Sequence, residues 1–376
     1  MFIALLLARS VSGATPDNVR IASDFPGGNI VVEKIVGNDV YVHQDLRDTK
    51  GDWFYWYFAV RGAQGRELTF HFTKSKAIGL LGPGVSRDGG RTWQWLGHTE
   101  SPTLFRYKFA SDESEVRFSF GMPYQHADLL RFLEKHRQNP HLKQEALGKT
   151  RKGTPVELLR LGAASDCKVL VTVRHHACEM MASYVAEGFM EAFLGDSWLP
   201  TQVDCVVIPM VDKDGVEAGD QGKNRQPHDH KADYRGTSIY PEVAALRAFV
   251  EKWAGGKPDV TLDLHNPAIN SRVIYSHALR AGGVFEKEFL ETLEKVQRGP
   301  LQFRVQDSVE FAARMADETV KKTNNTQINI GLEIPYALAR EKPVTPESAR
   351  AFGRDLTRAL VFYFQASSSQ KKGNTK

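Results

Sequence analysis

The sequence predicts an α/β protein, with an antiparallel β-sandwich over residues 18–121 followed by an α/β/α sandwich with a mixed central sheet over residues 122–365. Three observations carry this. Up to Gly121 the apolar runs are short and rich in aromatic and β-branched residues, with Gly and Asp clusters between them. After Met122-Pro-Tyr-Gln125 the period changes, and buried strands alternate with helical runs. The 376 residues, 41% of them hydrophobic and 25% charged, are enough for two such domains.

The first 14 residues hold the apolar run Phe2-Ile-Ala-Leu-Leu-Leu-Ala8, followed by Ser10-Val-Ser-Gly-Ala14. The run is too short to span a bilayer but fits the apolar core and small-residue end of a secretory signal. Arg9 interrupts the pattern and no positive segment precedes it. Read as a signal, it implies a periplasmic or secreted protein; read as a frayed start, a cytoplasmic one.

In the sandwich region, Val40–His43, Trp53–Val60, Leu68–Phe72 and Val116–Phe120 read as strands. Aromatic residues on both faces of Trp53–Tyr57 point to core rather than to a carbohydrate-stacking stripe. Ser86-Arg-Asp88-Gly-Gly90-Arg-Thr92-Trp93 resembles the hairpin of sialidase-type propellers, and Asp-Gly-Gly supplies the positive dihedrals of a tight turn. A propeller needs repeats of that motif and the chain has one copy, so here it marks a turn in a sandwich.

Beyond it, His126–His136 is helical by spacing, Val169–Val173 a buried strand and Ala182–Phe193 a helix. Val206–Val211 and Val260–Leu264 read as strands, Glu242–Trp253 and Glu347–Phe364 as helices. The polar segment 366–376 reads as a disordered tail.

A net charge of +4 without a block of like charge describes a solvated surface, not a nucleic-acid arm, and no segment predicts stable membrane insertion. Cys167, Cys178 and Cys205 are an odd set in or beside apolar stretches and read as buried thiols. Nothing in the composition sets the oligomeric state.

Chemistry concentrates in three distant fragments: His176-Ala-Cys-Glu179, Asp263-Leu-His265, and Glu333 in Gly-Leu-Glu-Ile-Pro. Two imidazoles and a carboxylate form the ligand set of a catalytic zinc with one position open, and a further carboxylate supplies the proton shuttle. His176 and Glu179 follow the strand ending at Val173, His265 the strand ending at Leu264, and Glu333 the short run Ile328–Leu332, and open α/β sheets collect active groups at the carboxyl ends of strands. His228-Asp-His230, with Asp233, is a weaker candidate on a Pro- and charge-rich loop.

The order His-x-x-Glu, His, Glu resembles the zinc carboxypeptidases of the carboxypeptidase A type, closest to their cytosolic carboxypeptidase-like branch. The resemblance covers about residues 120–365, and the upstream sandwich fits that branch. It implies one zinc per chain on His176, Glu179 and His265, with Glu333 as general base and acid, acting on the C-terminus of a peptide or protein. Pro209-Met-Val-Asp-Lys-Asp-Gly-Val216 is similar to the stretch that follows the first ligands in this family.

Downstream the family carries an Arg that polarises the scissile carbonyl, then Asp-x-Asn-Arg, which holds the substrate carboxylate. Arg225 matches the polarising Arg, while Asp229-His-Lys231-Ala232 replaces the last two residues of the clamp. In another register Asn224-Arg225 is itself the clamp. Lys is a point charge where Arg offers a paired-donor fork, so the departure bears on specificity. Tyr275 and Tyr336 are the candidates for the tyrosine that folds over substrate. An acyl-amino-acid amidase of the aspartoacylase or desuccinylase kind shares the ligand pattern, and a binding protein that has lost catalysis is the reading outside enzymes.

Overall fold

The computed structural model describes residues 19–281, 283–314 and 328–373. The signal-like segment lies outside the described residues. Among those described, no helix is long and apolar enough to cross a membrane.

Two sheets form the N-terminal sandwich. One orders the strands Arg20–Ala22, Tyr57–Arg61, Glu115–Ser119, Gly84–Ser86 and Gln94–Trp95; the other orders Val31–Val36, Asp39–His43, Glu67–Phe72 and Leu104–Lys108. All neighbours are antiparallel except Asp39–His43 and Glu67–Phe72. Between those two the chain crosses to the other sheet through Tyr57–Arg61, and it returns running in the same direction.

Phe54, Tyr55, Trp56 and Tyr57 are all buried, and the Trp56 indole N–H donates to the Ala77 carbonyl at 2.7 Å. The aromatic stripe is therefore core, as its two-sided pattern predicts. Ser86 to Trp93 forms the expected turn, with Gly84–Ser86 paired to Gln94–Trp95.

The second layer system is built on a seven-stranded sheet. Its order is Leu142–Lys149, Pro155–Gly162, Asp204–Ile208, Lys168–Val173, Val260–His265, Ile328–Glu333, Tyr275–Ser276. The middle strands run parallel and both edges antiparallel. The first hairpin was not legible in sequence, because its outer strand, Leu-Lys-Gln-Glu-Ala-Leu-Gly-Lys, is an exposed polar edge without alternation.

Helix Met180–Gly195 packs on the sheet and against helix Pro346–Gly373. The two helices approach so closely that a Cβ on Gly353 would lie 2.0 Å from the Val185 carbonyl oxygen, and one on Gly188 2.1 Å from that of Arg350. The closing helix also continues to Gly373, inside the segment expected to be a disordered tail. Ala366-Ser-Ser-Ser-Gln-Lys-Lys holds no Gly or Pro, so nothing in the backbone stops the last turns before Gly373.

The sandwich and the second domain share one core. Tyr336 packs on Phe54 and Phe120, at ring distances of 5.6 and 4.6 Å, and Met180 lies against Gly121 at the change of period.

Candidate metal centre

The parallel strands end in register: Val173 pairs with Leu264, Leu264 with Leu332, and His265 with Glu333. Their carboxyl ends form the rim where the candidate residues meet. His176 and Glu179 lie in the turn between Val173 and helix Met180–Gly195. That turn is stitched from inside by Arg174, a fully buried residue at φ 60°. Its guanidinium donates to the carbonyls of Ala177 and Tyr124 and to the Ser183 hydroxyl.

Donor atoms of His176, Glu179 and His265 all lie within 4.8 Å of one another. Glu179 faces the Nδ1 of both imidazoles, at 3.0 Å from His176 and 2.8 Å from His265. The opposite ring nitrogens face carboxylates: His265 Nε2 lies 2.8 Å from Asp263, and His176 Nε2 3.7 Å from Asp229. At His265 this contact holds the proton on Nε2 and leaves Nδ1 to coordinate, whereas Asp229 is beyond hydrogen-bond reach of His176. Two imidazoles and a carboxylate, converging with no chain between them, are a donor set that fits a zinc-like ion.

A second group within the same distance joins His175, Asp263 and His265. Its donors are already engaged. Asp263 accepts from Thr172 at 2.8 Å, from His175 Nδ1 at 2.9 Å, from His265 Nε2 and from the Lys231 ammonium. His175 Nε2 meets the Tyr234 hydroxyl at 2.7 Å. The His175 and Asp263 side chains are 3% and 4% exposed, against 13% for His176, so only the first group opens to solvent.

The electrostatics follow from the packing. Burial opposes charge on Glu179, yet His176, Lys223 and His265 hold it well below the carboxylate range. Burial also opposes charge on His265, but Asp263 and Glu179 outweigh it and push the imidazole up to about 10. Burial dominates at His175 and pulls it down to about 4.

Glu333, backbone partner of His265, points one carboxylate oxygen at His277 Nε2, 2.8 Å away. Its other oxygen is buried without a hydrogen-bond partner. Burial raises its affinity for a proton, but His277 and His265 outweigh this and keep it below its ordinary value. The group is an ionised base with one lone-pair face free.

Other candidates are placed differently. All three Arg225 nitrogens are taken by carboxylates: Nε meets Asp48 at 3.0 Å, Nη1 meets Asp212 at 2.7 Å and Nη2 meets Asp220 at 2.9 Å. It lines a cavity with Arg47, Tyr240 and Glu242, and the metal group is not part of that lining. Asn224 is a turn residue at φ 51°, with its backbone bonded to Asp229 and Lys50. Lys231 reaches the outer side of the site through Asp263. Tyr336 is buried with its hydroxyl toward Cys178, and Tyr275 stacks on Phe311 at 4.3 Å. Cys178 and Cys205 are fully buried, and burial pushes the Cys178 thiol up to about 12. His228 and His230 turn to separate carboxylates, Asp233 and Glu242.

One cation in the site escaped the sequence reading. The Lys223 ammonium lies 2.7 Å from Glu179, 3.4 Å from the Asn266 carbonyl and 4.9 Å over the Trp53 ring. Nothing in Gly222-Lys-Asn-Arg225 tells which of its two cations turns inward.

No family model matches the chain. It is 27% identical over 183 residues to an uncharacterized protein of Zymomonas mobilis, a match covering 46% of this chain and 47% of that protein. The match thus spans about half the length of that curated relative. Similar solved structures include a metallo-carboxypeptidase from Burkholderia cenocepacia, with a TM-score of 0.72 over 93% of this chain and 99% of that one at 18% identity. Another is a metallo-carboxypeptidase from Pseudomonas aeruginosa in complex with (2-guanidinoethylmercapto)succinic acid, with a TM-score of 0.71 over 92% and 99% at 19% identity. Over more than nine-tenths of its length, then, the protein has the fold of these metallo-carboxypeptidases.

Proposed function

We propose that the protein is a zinc metallocarboxypeptidase that removes residues from the C-terminus of peptides or proteins. The observation that carries this is the convergence of His176, Glu179 and His265 beside a buried Glu333 oxygen without a partner. His176, Glu179 and His265 would hold one zinc ion per chain. When bound, zinc supplies an electrophile and lowers the pKa of its water from about 15.7 to about 7.

The remaining steps belong to the chain. Glu333 takes a proton from the attacking water on its free oxygen, while His277 holds the other oxygen. The same carboxyl then returns the proton to the leaving amine nitrogen. Asp263 keeps His265 in the tautomer that ligates through Nδ1. Lys231, half exposed on the outer side of Asp263, is the cation offered to the substrate carboxylate in place of the family's Asn-Arg.

The test combines elemental analysis with hydrolysis of a blocked dipeptide as free acid and as amide. One zinc per chain and preferential cleavage of the acid are expected, with zinc lost in His265→Ala. Equal cleavage of acid and amide would transfer the site to the amidase reading, and zinc bound without hydrolysis to a binding protein. The missing Asn-Arg at Lys231-Ala232 favours the binding-protein reading, and the presence of His176, Glu179, His265 and Glu333 together outweighs it.

A further inference from the structure

Resting on that peptidase reading, we infer that Lys223, and not Arg225, is the cation that meets the scissile carbonyl oxygen as it becomes an oxyanion. Arg225 is committed elsewhere: Asp48, Asp212 and Asp220 engage its three nitrogens, His230 Nδ1 lies 3.4 Å from Nη1, and the cavity it lines does not include the metal group. Lys223 is the opposite case. Its side chain is 12% exposed, yet its ammonium reaches the rim and touches Glu179, a member of the metal group. An ammonium has three donors, and Glu179 and the Asn266 carbonyl use two. The third is available to an oxygen of the substrate, above the face of Trp53.

The position selects the oxyanion over the terminal carboxylate. A clamp for that carboxylate belongs a residue's width beyond the scissile bond, whereas Lys223 is in contact with a ligand side chain.

Lys223 is also held where a preorganised donor must be. Asp48, from the sandwich, accepts from the amides of Gln221 and Gly222 at 3.0 and 2.8 Å and from Arg225. Thr49 donates its hydroxyl to the Lys223 carbonyl, and Lys50 its amide to that of Asn224. Gln221 makes paired bonds with the Tyr55 backbone, both at 2.8 Å. Gly222, at φ 75°, packs so tightly on the His176–Glu179 turn that a Cβ would lie 2.1 Å from the Ala177 nitrogen. The three Asp residues around Arg225 thus make it a tie within this loop, and the loop aims Lys223.

The step balances without a further reactant. Water oxygen bonds to the carbonyl carbon, its proton passes to Glu333, and the C=O π pair moves onto the oxygen facing the Lys223 ammonium. On collapse that pair returns, the C–N bond breaks, and Glu333 gives its proton to the amine.

The test uses the zinc-loaded protein, a phosphonate peptide analogue with a tetrahedral anionic centre, and the free product amino acid. Lys223→Met should keep its zinc by elemental analysis and lose about 10- to 100-fold in phosphonate affinity, the range of a charge-assisted hydrogen bond. Product affinity should move by less than about threefold, kcat should fall with little change in KM, and Lys223→Arg should restore most of the loss. Should the Met variant not fold, Lys223→Gln carries the same expectation. Unchanged phosphonate affinity overturns the inference, and so does an equal loss for phosphonate and product, which would mark a carboxylate clamp or a collapsed loop. Failure of the unmodified protein to bind zinc or the phosphonate is a separate result; it overturns the peptidase reading itself and the inference with it.

Discussion

Asp263 carries more contacts than any other carboxylate on the rim, and their number predicts what its loss would do. It accepts from Thr172, His175, His265 and Lys231, and His175 and His265 hold it well below the carboxylate range against the opposing effect of burial. Asp263→Asn keeps the shape but removes the charge and leaves one acceptor oxygen for the four donors that now share two. Metal affinity should fall by about 10- to 100-fold, as for other partners behind a ligating histidine; a zinc competition titration checks it. Glu333 makes the complementary case. It lies beside the candidate ligands, and its unpartnered oxygen is the observation that the proposed proton transfer rests on. Glu333→Gln should retain zinc and substrate binding while turnover drops by about 10²-fold or more. Near-normal turnover in that variant would move the proton shuttle to another residue.

Among the elements, the hairpin between Gly84–Ser86 and Gln94–Trp95 gives a pH-dependent test of local structure. Asp88 accepts from the Ser86 hydroxyl, from the amides of Arg91 and Thr92 and from the Thr92 hydroxyl. Its slight burial works the other way, but these bonds hold the carboxyl down to about 2. A folded value below the ordinary 3.8 means the contribution is full above pH 3.8 and fades as pH falls through about 2. Thermal midpoints of the unmodified protein and Asp88→Ala should therefore differ near neutrality and converge toward pH 2. A pH-independent gap would mean that the side chain acts through shape and not through charge.

For the molecule as a whole, the sandwich is a wall of the site and not an appendage. Asp48 sits at that junction: it reaches the 220–225 loop through two amides and a guanidinium. Asp48→Ala leaves these donors without their acceptor and should cost about 2 kcal/mol or more in stability. Turnover should fall beyond what the lost stability explains, since the loop that carries Lys223 loses its tie. Denaturant unfolding and steady-state kinetics on the same variant separate the two effects. Unchanged kinetics would show that the α/β region orders this loop alone.

The order of the layers and the gathering of the candidate residues at one rim were legible in the sequence. Both follow from local rules: period distinguishes the sandwich from the α/β region, and an α/β sheet delivers residues just past its strands to one rim, so His176, Glu179, His265 and Glu333 were legible as one group before any coordinate. The hairpin at Leu142–Gly162 was not, because an exposed polar edge strand has no amphipathic signal. Nor was the choice between Lys223 and Arg225. The two cations are one residue apart on the same loop, and which turns inward depends on acceptors brought from afar, Asp48 in the sandwich among them. That orientation belongs to the folded chain, because the pairing of charges across a junction depends on distances in space that no spacing along the chain encodes.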